Sequence, residues 1–315
     1  MSYFPYLRGK QFELIALRES ATLLADSEFT PIVEPVRSSL NSLQRTLDAI
    51  VEAGASAIVV VNPHHGDHNA DGSKVRQLLA DEYADLDNIR AGILLQGTST
   101  VEDAAGLMEE FQTRSGTTLI HAGFADGASL RSVIAEKQIE VDHVFLDDRA
   151  SELYRRRFTE GSKVLIRDGF ERMKNADYGP VDHFSDLHVL YTDSYDGYGD
   201  FLTVGDTYSE SGGPAYAVAI HLTYIDYDQD ESMFVRHFVS ETNDTPTDPA
   251  GKFREALGSL MAYLDGGSSK LASTSALAEF RQLHERQHFP GLGHVKKLSM
   301  KHHLETLQIY HASVT

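Results

Sequence analysis

The segment TPIVEPV, Thr30 to Val36, followed by SAIVVVN, Ser56 to Asn62, decides how this chain reads. Both are short β-branched runs of the kind that form strands buried on both faces of a parallel sheet. Between them Leu40, Leu43, Leu47, Ile50 and Val51 fall on one face at near-helical spacing, so the stretch is one strand, helix, strand unit. The pattern continues through RAGILLQ (Arg90 to Gln96), TTLIHAG (Thr117 to Gly123), DHVFLD (Asp142 to Asp147) and KVLIRD (Lys163 to Asp168). Val101, Ala104, Met108 and Phe111 make a second helical stripe, between RAGILLQ and TTLIHAG.

This succession predicts an α/β fold with a parallel sheet. Its nearly even spacing favours a closed, TIM-like (β/α)8 barrel over the alternative, a doubly wound sheet that must reverse its strand order. The seventh and eighth strands are expected at FLTVGD (Phe201 to Asp206) and YAVAIHLTYI (Tyr216 to Ile225). Their connection, TYSESGGPA, is too short for a crossover helix, so this end of the barrel should be irregular, with MFVRHFVS (Met233 to Ser240) as an added antiparallel strand. From Asp248 the chain turns helical, with stripes at Phe253, Ala256, Leu257, Leu260 and Leu264, at Leu277, Phe280 and Leu283, and at Met300, Leu304 and Leu307. The expected organisation is a barrel-like core over 1–247 and a helical extension over 248–315 packed on it, forming one structural domain.

The chain carries 47 acidic against 28 basic residues in 315, a net charge of −19, which argues against non-specific nucleic-acid binding. It has no cysteine, so disulfides, thiolate metal sites and a cysteine nucleophile are excluded, and any metal would rest on His, Asp or Glu. Apolar runs such as Ala57 to Val61 are too short to cross a bilayer, and the opening MSYFPYLRGK has no apolar signal region. A cytoplasmic protein without a membrane partner is the expectation.

In a barrel the chemistry sits at the carboxyl ends of the strands. That position selects Glu34 and Arg37, Asn62 and His64, Gln96, His121, Asp147, Asp148 and Arg149, Arg167 and Asp168, and Asp206. The competing explanation is helix capping, above all for Asp148 ahead of Ala-Ser-Glu-Leu. Glu34, enclosed in VEPV, is costly unless paired or solvated, and an internal salt bridge to Arg167 would account for both residues. NPHHGDH, Asn62 to His68, crowds three histidines and an aspartate into seven residues, leaving a divalent metal open, although no defined ligand spacing is present. His221 would become a base only beside a carboxylate such as Asp206. The glycine-rich stretch around Asp200 and Asp206 reads either as a loop closing over a ligand or as a tight corner. HVKKLSMKHHLE, His294 to Glu305, offers Lys297 and Lys301 one helical turn apart, for an anion, an acidic partner surface or simple solvation. No phosphate-binding loop, dinucleotide fingerprint or serine elbow occurs.

YFPYLRGKQFELIALRE (Tyr3 to Glu19), followed by TPIVEPV, resembles the start of the beta-protein family of T-even phages and their bacterial relatives. The similarity rests on Lys10, Glu13, Ala16, Leu17, Pro31 and Glu34. FSDLHVLY, GYGDFLTVGD, AVAIHLTY and KKLSMKHH are similar to the bacterial branch, so the resemblance spans nearly the whole chain. It implies a barrel-compatible fold and a setting in phage or mobile-element biology beside a nuclease-like partner, assigns no catalytic residue, and draws interest to Lys10, Glu34, Asp200 and Asp206.

The functional expectation is a hydrolase for a phosphate-containing or nucleotide-like small molecule. Arg37 and Arg167 would bind the anion, with Lys10, Asn62 and Asp200 completing the binding set. Glu34, Asp147 and Asp206 would act as acids and bases or hold a divalent cation, assisted by His64 or His121. The alternative is a non-catalytic barrel that docks a protein partner through Lys297, Lys301 and the C-terminal helices, in which the strand-end polar groups pair with one another and leave no open pocket.

Overall fold

The computed structural model describes residues 2–112, 116–210 and 212–314. Strands β1 (Tyr6–Leu7), β2 (Ile32–Val33), β3 (Ala57–Val60), β4 (Ile89–Gln96), β5 (Thr117–Ala122), β6 (Val141–Leu146) and β7 (Lys163–Ile166) pair in sequence order and in parallel. Strand β8 (Val181–Ser185) belongs to another sheet, and β9 (Gly197–Gly199) takes the place beside β7. The ring closes on the N-terminal segment: the Phe4 N–H donates to Tyr198 O at 2.8 Å, the Tyr6 N–H to Asp200 O at 2.9 Å, and Tyr198 pairs in parallel with Tyr3. The fold is therefore a TIM-like eight-stranded barrel.

Helices α1 (Gln11–Glu19) and α2 (Ala21–Asp26) follow β1, and α3 (Asn41–Glu52), α4 (Ser73–Glu82), α5 (Val101–Glu110), α6 (Gly127–Lys137) and α7 (Glu152–Arg155) follow β2 to β6 in turn. Side-chain caps start three of them: Thr100 accepts from the Asp103 N–H, Asp126 from Ser129 and Ser151 from Tyr154. The α7 cap is thus Ser151, and Asp148 is exposed upstream of it.

Paired residues share a face of the barrel wall. Tyr6, Ile32, Ile58 and Arg90 form one such row, and Thr118, Asp142 and their neighbours another on the same face. This is the inner face and it is packed tightly: a Cβ on Gly92 would lie 2.8 Å from Ile58 and 3.0 Å from Ile120. At its amino end Arg90 and Asp142 form an ion pair of 2.7 Å across β5.

The chain divides into two compact units, Met1–Arg167 with Leu190–Asp200, and Asp168–Val189 with Phe201–Thr315. In the second, β10 (Ala219–Asp226) and β11 (Ser232–Val239) are antiparallel, with β8 on the far side of β11. After the short helix α8 (Leu187–Leu190), the remaining helices are α9 (Pro249–Asp265), α10 (Ser275–Glu285) and α11 (Leu292–Val314). Their apolar stripes bury Val218, Ile220, Leu222 and Phe238 against Phe253, Leu257, Phe280 and Leu298.

Four sequence expectations change. TPIVEPV holds the second strand, because the first is the two-residue β1 inside YFPYLRG. FLTVGD is not a strand: Leu202–Val204 forms a single 3-10 turn entered with Leu202 at φ 49° and left through Gly205 at φ 74°. The strand in YAVAIHLTYI lies in the antiparallel sheet, with MFVRHFVS as its antiparallel neighbour. The organisation also breaks elsewhere than at 247, since the second unit takes in residues on both sides of it. The true eighth strand, Gly-Tyr-Gly, lacks the β-branched signature. Gly199 is required there because a Cβ would sit 2.0 Å from Phe4 O at the barrel seam. Among the described residues no helix is long and apolar enough to cross a membrane.

Candidate functional site

Glu34 stands at the carboxyl end of β2, its N–H continuing the ladder to Leu7 O at 2.8 Å, and it is fully buried. Its carboxylate receives the Tyr6 hydroxyl at 3.3 Å, the His65 ring at Nδ1 at 3.0 Å, and the N–H groups of His64 and His65 at 2.9 and 3.0 Å, and it forms an ion pair with Arg8, whose Nε lies 3.2 Å away. Burial alone would raise its pKa. The His65 hydrogen bond and the charge of Arg8 outweigh that and bring it down to about 2. Glu34 is therefore ionised throughout the neutral range, with no proton to give and little basicity. It is an organiser that holds Arg8 and the 62–68 loop, and the bridge it forms is to Arg8 rather than to Arg167.

That loop is stitched to the end of β2. Gly66, at φ 70°, lies so close to Val36 that a Cβ would sit 2.1 Å from the Val36 O. Ser38 N–H donates to Asp67 at 2.7 Å, and His68 Nε2 meets Arg37 O at 2.9 Å. The His65 and His68 rings therefore serve different partners, Glu34 and the Arg37 carbonyl. Among the described residues no group of three or more His, Asp or Glu side chains is placed to hold a metal ion. Asn62 gives both ends of its amide to the Leu94 backbone, at 2.9 and 2.8 Å, which prolongs the β3–β4 ladder by side chain.

His64 is the exposed histidine of the loop. It borders a polar pocket of about 340 Å³ at the carboxyl ends of β3 and β4, lined also by Asn62, His68, Arg76, Gln96 and Ser99. Partial burial lowers its pKa, as do His65, Arg149 and Arg8, while Glu34 works the other way. The ring is thus kept neutral near pH 7, chiefly by burial and by His65, with Glu34, Arg149 and Arg8 close enough to act on it.

The other expected residues take separate places. Asp147 accepts Arg155 Nη1 at 2.9 Å and Arg167 Nε at 2.7 Å, an ion triplet with the α7 side of the wall. Asp200 is buried and accepts the Tyr3 hydroxyl at 2.8 Å while its own carbonyl closes the barrel, so it belongs to the seam. Lys10 acts through its backbone: the N–H groups of Arg8 and Lys10 donate to Glu13 at 2.8 and 3.3 Å, so the Lys-x-x-Glu motif is the turn from β1 into α1. The Arg37 side chain is exposed and borders a different pocket, beside Gln11 and Leu40. Asp206 belongs to the second unit, where its N–H is held by Asp168 at 2.7 Å, and it ends no barrel strand. His121 is wholly buried on the outer face of β5, bonded to Tyr154 at 2.7 Å and to His143 at 3.0 Å, and stacked on Phe145. It faces away from the barrel mouth.

In the second unit His221 does have a carboxylate, one imidazole removed: Asp182 to His237 is 3.0 Å and His237 to His221 is 2.7 Å. Lys297 is only 4% exposed, which withdraws it from any partner surface. His302 bonds Thr274 at 2.8 Å and Thr223 O at 2.9 Å, and His303 bonds Thr223 Oγ1 at 2.9 Å. Lys297, His302 and His303 of the basic stretch are thus buried, while Lys301 is half-buried and Lys296 exposed. Arg8 and His65 are the residues sequence reasoning missed. Reading LRG as the exit from a first strand would have placed Arg8 at the mouth. No protein-family model and no curated relative matches the chain.

Proposed function

We propose that the barrel mouth around β2, β3 and β4 binds a small, polar, anionic molecule and that His64 exchanges a proton with it. One observation carries this: a neutral imidazole at the edge of a 340 Å³ polar pocket, under the combined field of Arg8 and Arg149. Such a field attracts a phosphate or carboxylate, and a neutral imidazole can take a proton from an attacking water. Hydrolysis of a phosphate-containing or nucleotide-like molecule is the reaction class we retain, with Glu34 fixing Arg8 and the His64 backbone rather than reacting. The likeness to the beta-protein family, its phage-related setting and a cytoplasmic location belong to the same proposal.

The alternative, a non-catalytic barrel, is favoured by one feature: Glu34, Asp147 and Asp200 each accept from or pair with other protein side chains. Thermal unfolding with inorganic phosphate, AMP and citrate, together with turnover of p-nitrophenyl phosphate, separates the two. The enzyme reading expects an anion-dependent rise in Tm that Arg149→Ala removes, and a turnover that His64→Gln abolishes while the Tm rise survives. No Tm response and no turnover would favour the partner-binding barrel.

A further inference from the structure

We propose that the cleft between α6 and the outer face of β5 and β6 binds a small, neutral, mainly apolar molecule carrying one hydrogen-bond acceptor, which His143 receives. The cleft measures about 570 Å³, within the usual range of small-molecule sites. Ile134, Ile139, Val141 and Phe158 provide its apolar walls, and His143 lines it although only 2% exposed. Among the described residues His143 Nε2 has no hydrogen-bond partner, while Nδ1 is taken by His121 at 3.0 Å.

The polarity of that nitrogen follows from the chain of bonds behind it. Burial holds His121 well below its ordinary pKa and His143 down to about 4, so each ring is neutral and carries one proton. Tyr154 hydroxyl has His121 Nδ1, at 2.7 Å, as its acceptor. A phenol donates to imidazole far better than it accepts, so His121 Nδ1 is bare and its proton sits on Nε2. That Nε2–H donates to His143 Nδ1, and the remaining His143 proton must sit on Nε2, directed at the cleft. Tyr154 thus fixes, through two imidazoles, a donor at the base of an apolar chamber.

Charge narrows the ligand further. The lining carries Arg131 against Glu140 and Glu160, while the Asp142 carboxylate is turned to the inner face and paired with Arg90, so a carboxylate or phosphate would meet net negative charge, whereas a neutral carbonyl would not. A buried donor aimed into an apolar site rejects a ligand of the same shape that lacks the acceptor.

The test uses three probes of similar shape on the whole protein: 2-acetylnaphthalene, 2-isopropylnaphthalene and 2-naphthoate. Binding is followed by titration and by the ¹⁵N and ¹H resonances of the histidine rings. The expected result is that the ketone binds at least tenfold more tightly than the hydrocarbon and the carboxylate, and that it shifts the His143 Nε2 signal. In His143→Phe the ketone and hydrocarbon should become equal, and in Ile134→Trp, which fills the cleft from the half-exposed face of α6, both should be lost. The proposal is overturned if no probe binds, if the hydrocarbon or the carboxylate binds as well as the ketone, or if the ketone's advantage survives in His143→Phe.

Discussion

Glu34 shows how neighbours can turn an apparent catalytic acid into a permanent anion. Its pKa falls from 4.5 to about 2 because His65 and Arg8 favour the charged form. A carboxylate lowered on folding stabilises the protein above its unfolded pKa, and that stability is lost as the pH falls through the folded one. Urea denaturation should therefore lose about 3 kcal/mol between pH 5 and pH 2 through this one group. Glu34→Gln should lack that part of the pH dependence, and at pH 7 it should cost about 3–5 kcal/mol because Arg8 is left buried without its counter-charge. Arg8→Met combined with Glu34→Leu should recover only part of the loss, since the His64 and His65 N–H groups would lack their acceptor. An unchanged acid limb in Glu34→Gln would place the stabilisation elsewhere. The need for a partner was legible in VEPV, since a carboxylate in a buried strand must be compensated. The choice of Arg8 over Arg167 was not, because it depends on which strand precedes TPIVEPV in the ring.

At the scale of elements, the 62–68 loop depends on a single backbone approach. Gly66→Ala would force a Cβ to 2.1 Å from Val36 O at a positive φ, so the loop has to move. Gly54→Ala is the natural control, since Gly54 has a similar φ of 76° but nothing within 4 Å of the added atom. We expect Gly54→Ala to cost about 1 kcal/mol from backbone strain alone and Gly66→Ala clearly more. Hydrogen exchange provides the sharper measurement: the His64 and His65 amides, held by Glu34, should be protected in the parent and in Gly54→Ala, and exchange freely in Gly66→Ala. Equal protection in both variants would show that the loop stands without the Val36 contact. Elements with a dense periodic signal, such as the run Ala57 to Val60 or the stripe of α9, were readable from the chain. Elements set by closure were not: β1 is two residues long, β9 consists of Gly-Tyr-Gly, and the apolar FLTVGD turns because Leu202 adopts φ 49°.

For the whole molecule, the path of the chain matters more than its composition. The chain leaves the barrel unit after Arg167, returns at Leu190 to supply β9, and leaves again at Phe201, so a linear boundary such as 247/248 falls inside the second compact unit. The helices beyond that point supply half of the second unit's core: Phe253, Leu257, Phe280 and Leu298 face Ile220, Leu222 and Phe238. Every barrel strand lies before it. Ending the chain at residue 247 should therefore strip the cover from β10 and β11 while leaving all eight barrel strands in the sequence. A three-stranded sheet with one bare apolar face has little independent stability and a strong tendency to associate. The shortened protein should bind an apolar dye such as ANS strongly and lose amide protection in β8, β10 and β11, while β2 to β7 keep theirs. Retained protection in β10 and β11 would mean that the antiparallel sheet holds its own structure without the C-terminal helices. Loss of protection in β2 to β7 as well would mean that the barrel takes its stability from the second unit, and that every stability measured at the mouth is a property of the whole chain.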